Sequence, residues 1–242
     1  DILRSYDRSL RKALGGLSYL GPLRTHPARH YLLDGVPGDS VGSRGEQSVQ
    51  LLFHDSEARH GETSLLDRLN DYCKKFEIPY VFSLRNLGDA ITGDLIVLSL
   101  TDTRTGVLVG PADVGFGIGQ LLPILIVGIL VNLRGPSSRI VCVEQPEIHL
   151  HPRLQAAMAD FFIDTSQVGS PHWASRDKVR HGGGVQWIVE THSEAFILRL
   201  QRRIRENKLS HDDVSVLYVD PRGKKGSVVL ELRLDEAGEF ID

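Results

Sequence analysis

The sequence lacks the features that mark secreted, membrane-spanning and strongly charged proteins. Its 242 residues include only two cysteines, Cys73 and Cys142, too few for a disulfide framework, so we expect a reducing, cytoplasmic setting. Cys142 lies in an apolar run, which predicts a small buried thiol. The longest apolar run, Leu121–Val131, is well short of the roughly 20 residues that cross a bilayer. A formal net charge of −3 gives no surface-wide attraction to nucleic acid.

Two further absences concern the chain ends and phosphate binding. The chain starts at Asp1 without an initiator Met or a charged-then-apolar leader, so we expect an interior piece of a longer polypeptide rather than a secretory precursor. The ending at Asp242 likewise predicts that further residues follow. No GxxxxGK[ST] segment occurs anywhere, so the Gly-rich loop and lysine that hold nucleotide phosphates in P-loop proteins are missing.

What is present is the composition of a folded protein, 41% hydrophobic and 24% charged, sufficient for one large domain or two small ones. After Gly115, apolar runs alternate with helical patterns. These predict helices at Gly119–Leu133, Pro152–Asp164 and Ser193–Asn207 and buried strands at Arg139–Val143 and Val185–Glu190. We expect Pro123 in the first turn of the first helix. The alternation predicts an α/β fold, with a mostly parallel sheet flanked by helices.

The rest of the chain predicts more helices, an antiparallel portion and a terminal β-hairpin. The patterns indicate amphipathic helices at Ser48–Phe53 and Ser64–Phe76, separated by polar His54–Thr63. They then predict a meander of three strands, Tyr80–Leu84, Asp94–Thr101 and Val107–Val109, with turns at Gly93 and Gly106. The last two strands, Val214–Asp220 and Ser227–Leu234, form the hairpin. We expect Leu10–Tyr31 to be a structured loop and Ser166–Gly184 a mobile insertion. Three regions follow: residues 1–110, a core of 111–210, and the hairpin region 211–242.

The strongest local signal for chemistry is IVCVEQPEIHLHP, Ile140–Pro152. An apolar strand delivers Glu144 at its carboxyl end, where open α/β sheets bind their ligands. A carboxylate there can hold Mg²⁺ through the water shell of the ion. For an isolated strand of this kind a solvent-facing glutamate would be the better explanation, but Gln145-Pro146-Glu147 and the Leu150-His151-Pro152 turn favour the ion-holding interpretation.

Three segments together resemble a known family. EQPEIHLHP, Glu144–Pro152, resembles the Walker B and D-loop sequence of ABC-type ATPases in the OLD, RecF and SMC-like group. DVGFGIGQ, Asp113–Gln120, resembles that group's degenerate ABC signature, and WIVETHSE, Trp187–Glu194, resembles its switch loop, or H-loop. Leu17–Tyr31 and Arg44–Leu52 also resemble the region before the signature. The resemblance, in family order, implies the C-terminal lobe of an ABC-ATPase head.

The resemblance implies a site for ATP and Mg²⁺. Glu144 would hold the Mg²⁺ through water, Gln145 occupies the position of the catalytic glutamate, and His192 would reach the γ-phosphate and help to hold attacking water. Glycines at a helix N-terminus let backbone amides approach a phosphate closely. The other implied roles are nucleotide binding by Gly115, Gly117, Gly119 and Gln120, an alternative base at Glu147, and D-loop contacts by His149 and His151.

The resemblance also implies partners. The P-loop and Q-loop of this superfamily belong to the N-terminal lobe, so the chain would need a P-loop-bearing lobe from the same or a separate chain, and would be inactive alone. Two heads would sandwich ATP as a homodimer and act as a switch on an effector protein or nucleic acid, away from membranes. An amide cannot accept a proton from water as a carboxylate can, so Gln145 predicts slow hydrolysis. Analogy alone suggests anti-phage defence or DNA maintenance.

Other functions remain open at this point. The missing P-loop and Gln145 suit a non-hydrolysing dimerisation or scaffold module. A metal-dependent nuclease would need an acidic cluster, for which Asp212, Asp213 and Asp220 are too sparse. A Gly-rich dinucleotide fingerprint is incomplete, and no GxSxG elbow supports a serine hydrolase.

Two residue groups carry weaker hypotheses. His149 and His151 with Glu147 offer common zinc ligand types, although a D-loop turn that contacts a partner subunit explains them better. Arg24 and Arg29 receive no functional role from the resemblance, and structural ion pairing is the expected use of both.

Overall fold

The computed structural model describes residues 6, 17–33, 35, 38–59, 62–89, 91–133, 140–166, 185–222 and 226–241. Within these residues the α-helices are α1 Ser48–Ala58, α2 Leu65–Lys75, α3 Phe116–Leu133, α4 Pro152–Ser166 and α5 Glu194–Arg205. The strands are β1 Leu17–Leu20, β2 Tyr31–Leu33, β3 Tyr80–Asn86, β4 Asp94–Asp102, β5 Leu108–Val109, β6 Ile140–Glu144, β7 Gln186–Glu190, β8 Val216–Pro221, β9 Ser227–Leu234 and β10 Phe240–Ile241.

The strands form three sheets. The first is parallel, with the order β1-β6-β7; its register sets Leu20 beside Val143 and Glu144 beside Glu190. The second is antiparallel, with the order β2-β4-β3 and β5 paired to β4, and the third is the antiparallel sheet β10-β9-β8. The predicted α/β fold, with its parallel sheet, antiparallel portion and terminal hairpin, is confirmed.

Local sequence explains where the helices begin and end. Ser64 and Asp67 form a capping box at the start of α2, each accepting a hydrogen bond from the backbone amide of the other. Ser193 caps α5 by accepting from the Phe196 amide at 3.0 Å. The first turn of α5 carries Glu194, and its last turn is basic, so the charges at both ends suit the helix dipole.

One hydrophobic core connects the helices to the parallel and antiparallel sheets. Helix α3 is apolar on all sides, and Ile124, Leu125 and Ile126 are each at most 1% exposed. The fully buried ring of Phe161 packs against the rings of Tyr72 and Trp187. Truncating a buried aromatic side chain costs about 3–5 kcal/mol, so these ring contacts join α4 firmly to α2 and to strand β7 of the parallel sheet.

The structure corrects several boundaries. Helix α3 begins at Phe116, so Pro123 lies in its interior rather than in its first turn. The ring of Pro123 packs onto Gly45, where an added Cβ would lie 2.5 Å from it. Helix α1 continues to Ala58 through part of the segment taken as polar linker. The described part of Leu10–Tyr31 contains strand β1, which pairs with a strand far along the chain, so local sequence did not identify it.

The predicted burial of Cys142 is also corrected. Cys142 is only half-buried, because it lies on the face of β6 opposite the core-facing Val141 and Val143. Cys73 is buried at 1% exposure, and burial raises the pKa of its thiol to about 12. The predicted insertion Ser166–Gly184 lies, apart from Ser166, outside the described residues. No helix in the described part of the chain is long and apolar enough to span a membrane.

Candidate functional site

The candidate site lies where the three parallel strands end. Strands β1, β6 and β7 run in the same direction, so their carboxyl ends meet at one edge of the sheet. The loops that follow them begin at Gly21, Gln145 and Thr191. This is the edge at which open α/β sheets bind ligands, and the sequence predicted it from the ends of β6 and β7.

Glu144 ends β6 and is half-buried. Its Oε1 accepts a hydrogen bond from the hydroxyl of Tyr19, on the neighbouring strand, at 2.9 Å. That hydrogen bond, together with partial burial and the charge of Glu144, raises the pKa of the Tyr19 phenol, because a phenolate would face the carboxylate. Tyr19 therefore stays a neutral donor that fixes one oxygen of Glu144 in place.

Gln145 adopts a left-handed backbone conformation, with φ at 43°. This conformation costs a non-glycine residue of order 1–3 kcal/mol, and it persists only where surrounding contacts offset that cost. Its amide donates to the Glu190 carbonyl at 2.8 Å, which ties the end of β6 to the end of β7. The strained turn is thus held from the β7 side by a backbone hydrogen bond.

Arg24 holds the same turn from the β1 side. Its Nη2 donates to the Glu144 carbonyl at 2.7 Å, and its Nη1 donates to the Gln145 carbonyl at 3.4 Å. The residue is 3% exposed, and its Nε has no hydrogen-bond partner. Burial lowers the pKa of the Arg24 guanidinium to about 10, and the negative charge of Glu147 acts in the other direction, raising this pKa. Arg24 therefore binds backbone carbonyls, which corrects the expectation of a structural ion pair.

Glu147 joins the loop after β6 to the loop after β7. Its Oε2 accepts from the Thr191 hydroxyl and its Oε1 accepts from the His192 amide, both at 2.7 Å. Charged acceptors make the stronger hydrogen bonds in proteins. Both oxygens of the carboxylate are thereby engaged in holding the second loop.

His192 itself faces solvent. Its side chain is 77% exposed, and its Nε2 lies 3.3 Å from Oε1 of Glu190. The residue that follows, Ser193, is buried and donates from its hydroxyl to Oε1 of Gln155 at 2.6 Å. A fixed backbone therefore presents an accessible imidazole at the edge of the sheet.

The segment Asp113–Gln120 lies next to this edge. Gly117 is in the first turn of α3, and a Cβ added there would lie 2.6 Å from the His149 carbonyl oxygen. A Cβ on Gly119 would lie 2.3 Å from the ring of Pro27, whereas Gly115, before the helix, has open space around it. Gln120 is buried, at 4% exposed. Close packing within the chain therefore explains two of the three glycines without a phosphate.

The His149–His151 turn follows Glu147. His149 is left-handed, with φ at 62°, and the Nδ1 of His151 accepts from the Arg153 amide at 3.2 Å. No group of three or more His, Cys, Asp or Glu suited to a metal ion occurs among the residues that the structure describes. The geometry of the turn thus gives no support to the zinc alternative.

Comparison with protein families decides the family of the chain. A profile of the AAA ATPase domain matches residues 49–197, which is more than half of the sequence. The chain belongs to the AAA ATPase domain family. The matched part of this AAA ATPase domain includes Glu144, Glu147 and His192, while Tyr19 and Arg24 precede it. Membership implies binding of nucleotide, in this family ATP, typically with Mg²⁺.

Three solved structures to which the chain is similar come from studies of SMC proteins. One, from a study of ATP-driven dimerisation and DNA-stimulated activation of SMC ATPases, has a TM-score of 0.47 and 15% identity, with 72% of this chain and 86% of that chain covered. A second, the Pyrococcus furiosus Smc head with an extended coiled coil bound to the C-terminal domain of ScpA, has a TM-score of 0.49 and 13% identity, covering 80% and 42%.

A third structure, an Smc head bound to the C-terminal winged-helix domain of ScpA, has a TM-score of 0.46 and 14% identity, covering 82% of this chain and 49% of that chain. The chain thus spans less than half the length of the second and third structures. No curated protein is significantly similar in sequence.

Sequence reasoning missed Tyr19 and left Arg24 without a function. Both depend on β1, a short strand whose four residues, LSYL, alternate only weakly between exposed and buried positions. A strand followed by Gly21-Pro22 was the available signal. Recognising it would have placed Arg24 after a third strand at the same edge.

Proposed function

We propose that the chain is the C-terminal lobe of an ATP-dependent switch of the ABC type, in the OLD and RecF-like group. The observation that carries this proposal is that three family-like segments meet at one place. Glu144 and His192 follow neighbouring parallel strands, Glu147 bonds to the His192 amide, and Gly117 of the signature-like segment packs on the His149 carbonyl. Shared position at a ligand-binding edge supports one composite site.

The roles follow from the chemistry of each group. Hard cations such as Mg²⁺ take oxygen ligands and keep much of their water shell, and the Glu144 carboxylate, oriented by Tyr19, fits such a contact. The exposed imidazole of His192 suits a contact with the terminal phosphate of ATP. Gln145 stands where a general base is expected, and Gly115, with open space around it, suits a contact with phosphate of a partner head.

The absent P-loop defines what the switch requires. Backbone amides and a lysine normally supply most contacts to the β- and γ-phosphates. We propose that a P-loop-bearing lobe supplies them and that two such units close around ATP as a homodimer. We propose residues 111–210 as the core region, and all three ATP-facing segments lie within it. Anti-phage defence or DNA maintenance is the proposed setting.

The two carboxylates at the edge differ in their engagement. Both oxygens of Glu147 accept hydrogen bonds from the loop after β7, whereas one oxygen of Glu144 accepts from Tyr19. Glu147 is therefore better suited to positioning His192 than to serving as the alternative base. With an amide at residue 145, we expect slow hydrolysis and a long-lived closed state.

The test is Mg²⁺-dependent ATP turnover by the chain joined with a P-loop-bearing lobe. Glu144→Gln should abolish turnover, because the amide has lost the negative charge that attracts the ion. Glu231→Gln, an exposed carboxylate on β9 of a separate sheet, is the matched control and should leave turnover unchanged. Normal turnover in folded Glu144→Gln protein would contradict the assignment of Glu144.

A second function is favoured by Gln145 and the missing P-loop: a dimerisation module that binds ATP without hydrolysing it. ATP-dependent dimerisation, measured by light scattering, together with no turnover in the wild type would support this alternative. The two functions share the same interface and differ only in whether the γ-phosphate is released.

A further inference from the structure

We infer that Gly21–His30, the segment after β1, positions the candidate ATP site, and that Arg24 within it is the residue that orients the end of β6. This inference rests on the proposed function of Glu144. It adds a positioning residue that lies outside the three family-like segments and outside the matched AAA ATPase region.

The hydrogen bonds of Arg24 carry the first step. Its two terminal nitrogens donate to the carbonyls of Glu144 and Gln145, the two residues on which the proposed chemistry depends. Two donors in a rigid plane can fix two successive carbonyls, which a single ammonium group cannot do with the same geometry. Arg24 therefore sets the backbone from which the Glu144 side chain projects.

The environment of Arg24 carries the second step. The residue is 3% exposed and its Nε has no hydrogen-bond partner. Buried charges are normally paired with opposite charges. The charge of Glu147 acts on this guanidinium, but its hydrogen bonds end on the backbone carbonyls of Glu144 and Gln145. We therefore infer that the buried arginine serves to hold the left-handed turn at Gln145.

The other end of the segment reaches the signature-like region. The Pro27 ring lies where a Cβ of Gly119 would be, and Arg29 pairs with Asp113 at 2.6 Å. The middle of the segment is anchored to a neighbouring loop, because the Gly21 and Thr25 amides donate to the Ser43 and Arg44 carbonyls at 2.8 Å each. One anchored segment thus contacts both the start of α3 and the end of β6.

The first experiment uses the chain alone and reads the Gln145 backbone amide, which donates to the Glu190 carbonyl at 2.8 Å. Hydrogen exchange of this amide is measured by NMR in wild type, Arg24→Lys and Arg44→Lys. Arg24→Lys should speed this exchange by about 10- to 100-fold, because the turn loses charged donors that hold the Glu144 and Gln145 carbonyls and opens more often.

Arg44→Lys is the matched control, since Arg44 is an exposed arginine that contacts the same segment through the Leu23 carbonyl and not the end of β6. It should leave hydrogen exchange at Gln145 unchanged. Unchanged exchange at Gln145 in folded Arg24→Lys protein would overturn the inference. If Arg24→Lys does not fold, Arg24→Gln takes its place, and failure of both to fold would reduce Arg24 to a structural residue and also overturn it.

The second experiment measures ATP turnover with a P-loop-bearing lobe present. Misplacement of a reacting group by about 1 Å can cost about 10²-fold in rate, so Arg24→Lys should lower kcat by about 10- to 100-fold and leave KM for ATP within about threefold. A change confined to KM, or an unchanged kcat in folded Arg24→Lys protein, would overturn the inference.

The two proposals fail separately. Wild-type turnover in Glu144→Gln would contradict the proposed function itself. Loss of turnover in Glu144→Gln with normal turnover in Arg24→Lys would leave the ATP site standing and remove only the role of Arg24.

Discussion

The backbone amide of His192 donates to the carboxylate of Glu147 at 2.7 Å. This hydrogen bond connects the loops that follow two neighbouring parallel strands. The same carboxylate accepts from the Thr191 hydroxyl, so one side chain holds the loop that carries the proposed phosphate-contacting histidine, just before α5 begins at Glu194. The hydrogen bonds of Glu147 therefore join the segments Glu144–Pro152 and Trp187–Glu194 into one structural unit.

The first prediction concerns that unit. In Glu147→Ala, the His192 amide loses a charged acceptor, and hydrogen bonds to charged groups contribute about 1.5–3 kcal/mol. Amide hydrogen exchange at His192 should therefore become about 10- to 100-fold faster. Glu46→Ala, at an exposed carboxylate that accepts from the Arg44 amide in another loop, is the control and should leave His192 exchange unchanged. Equal protection of His192 in wild type and Glu147→Ala would contradict the role of Glu147.

The second prediction concerns the base. Gln145→Glu should speed single-turnover hydrolysis, measured with a P-loop-bearing lobe, because general-base assistance contributes about 10²- to 10⁴-fold. Glutamate has the same size and shape as glutamine, so we expect it to keep the left-handed backbone that Gln145 adopts, with φ at 43°. Glu147→Gln keeps one carboxamide oxygen as an acceptor and should lose less activity than Glu147→Ala.

Two outcomes would contradict the second prediction. Complete loss of hydrolysis in Glu147→Gln, with no gain in Gln145→Glu, would assign the base to Glu147. Rapid wild-type hydrolysis that neither substitution alters would remove the slow switch altogether.

The third prediction concerns the glycines of the signature-like segment. Gly117→Ala places a Cβ 2.6 Å from a backbone oxygen, and Gly119→Ala places one 2.3 Å from the Pro27 ring. Overpacking costs about 1–3 kcal/mol, which exceeds the gain of about 0.5–1 kcal/mol from replacing a helical glycine. Both variants should lower the free energy of unfolding in urea.

Gly115→Ala is the control for the third prediction, because its Cβ would meet no atom within 4 Å. Its free energy of unfolding should change by less than about 0.5 kcal/mol. A higher free energy of unfolding in Gly117→Ala would contradict the prediction, because it would mean that the backbone at His149 shifts away from the added Cβ at little cost. Gly115 is also the better position for testing a dimer contact, since substitution there leaves the chain fold intact.

The fourth prediction concerns pH. Hydrogen bonds from Arg202, Arg203 and Lys208 lower the pKa of Glu206 from 4.5 to about 2. A carboxylate whose folded-state pKa is lowered stabilises the fold above its unfolded-state pKa and loses that contribution as pH falls through the folded-state value. The melting temperature should therefore fall between about pH 4.5 and 2, and Glu206→Gln should reduce the part of this fall due to the cluster.

Glu236→Gln, at another exposed carboxylate, is the comparison for the fourth prediction. It should leave the pH dependence of the melting temperature close to that of wild type. Identical curves for Glu206→Gln and wild type would show that the arginine cluster at the end of α5 does not contribute to acid stability.

The sequence by itself determined the local structure and the order of the site elements. The apolar runs that end at Glu144 and Glu190 specify strands, and the central strand β6 buries Val141 and Val143 as expected of a parallel sheet. The prediction that the second run is buried is wrong, because β7 lies at the edge of the sheet and Ile188 is 53% exposed. Gly93 and Gly106 specify turns and have φ of 71° and 72°, a region in which glycine meets no steric penalty. Patterns of this kind depend on neighbours along the chain, so they can be interpreted without knowing the fold.

Only the tertiary structure decided which distant groups meet. Arg24 reaches carbonyls at residues 144 and 145, and the carboxylate of Glu147 bonds to the amide of His192. Gly117 is required by a backbone oxygen that belongs to another loop. Contacts of this kind depend on how strands β1, β6 and β7 align in the sheet, and periodicity within a segment carries no information about its register with a segment over a hundred residues away.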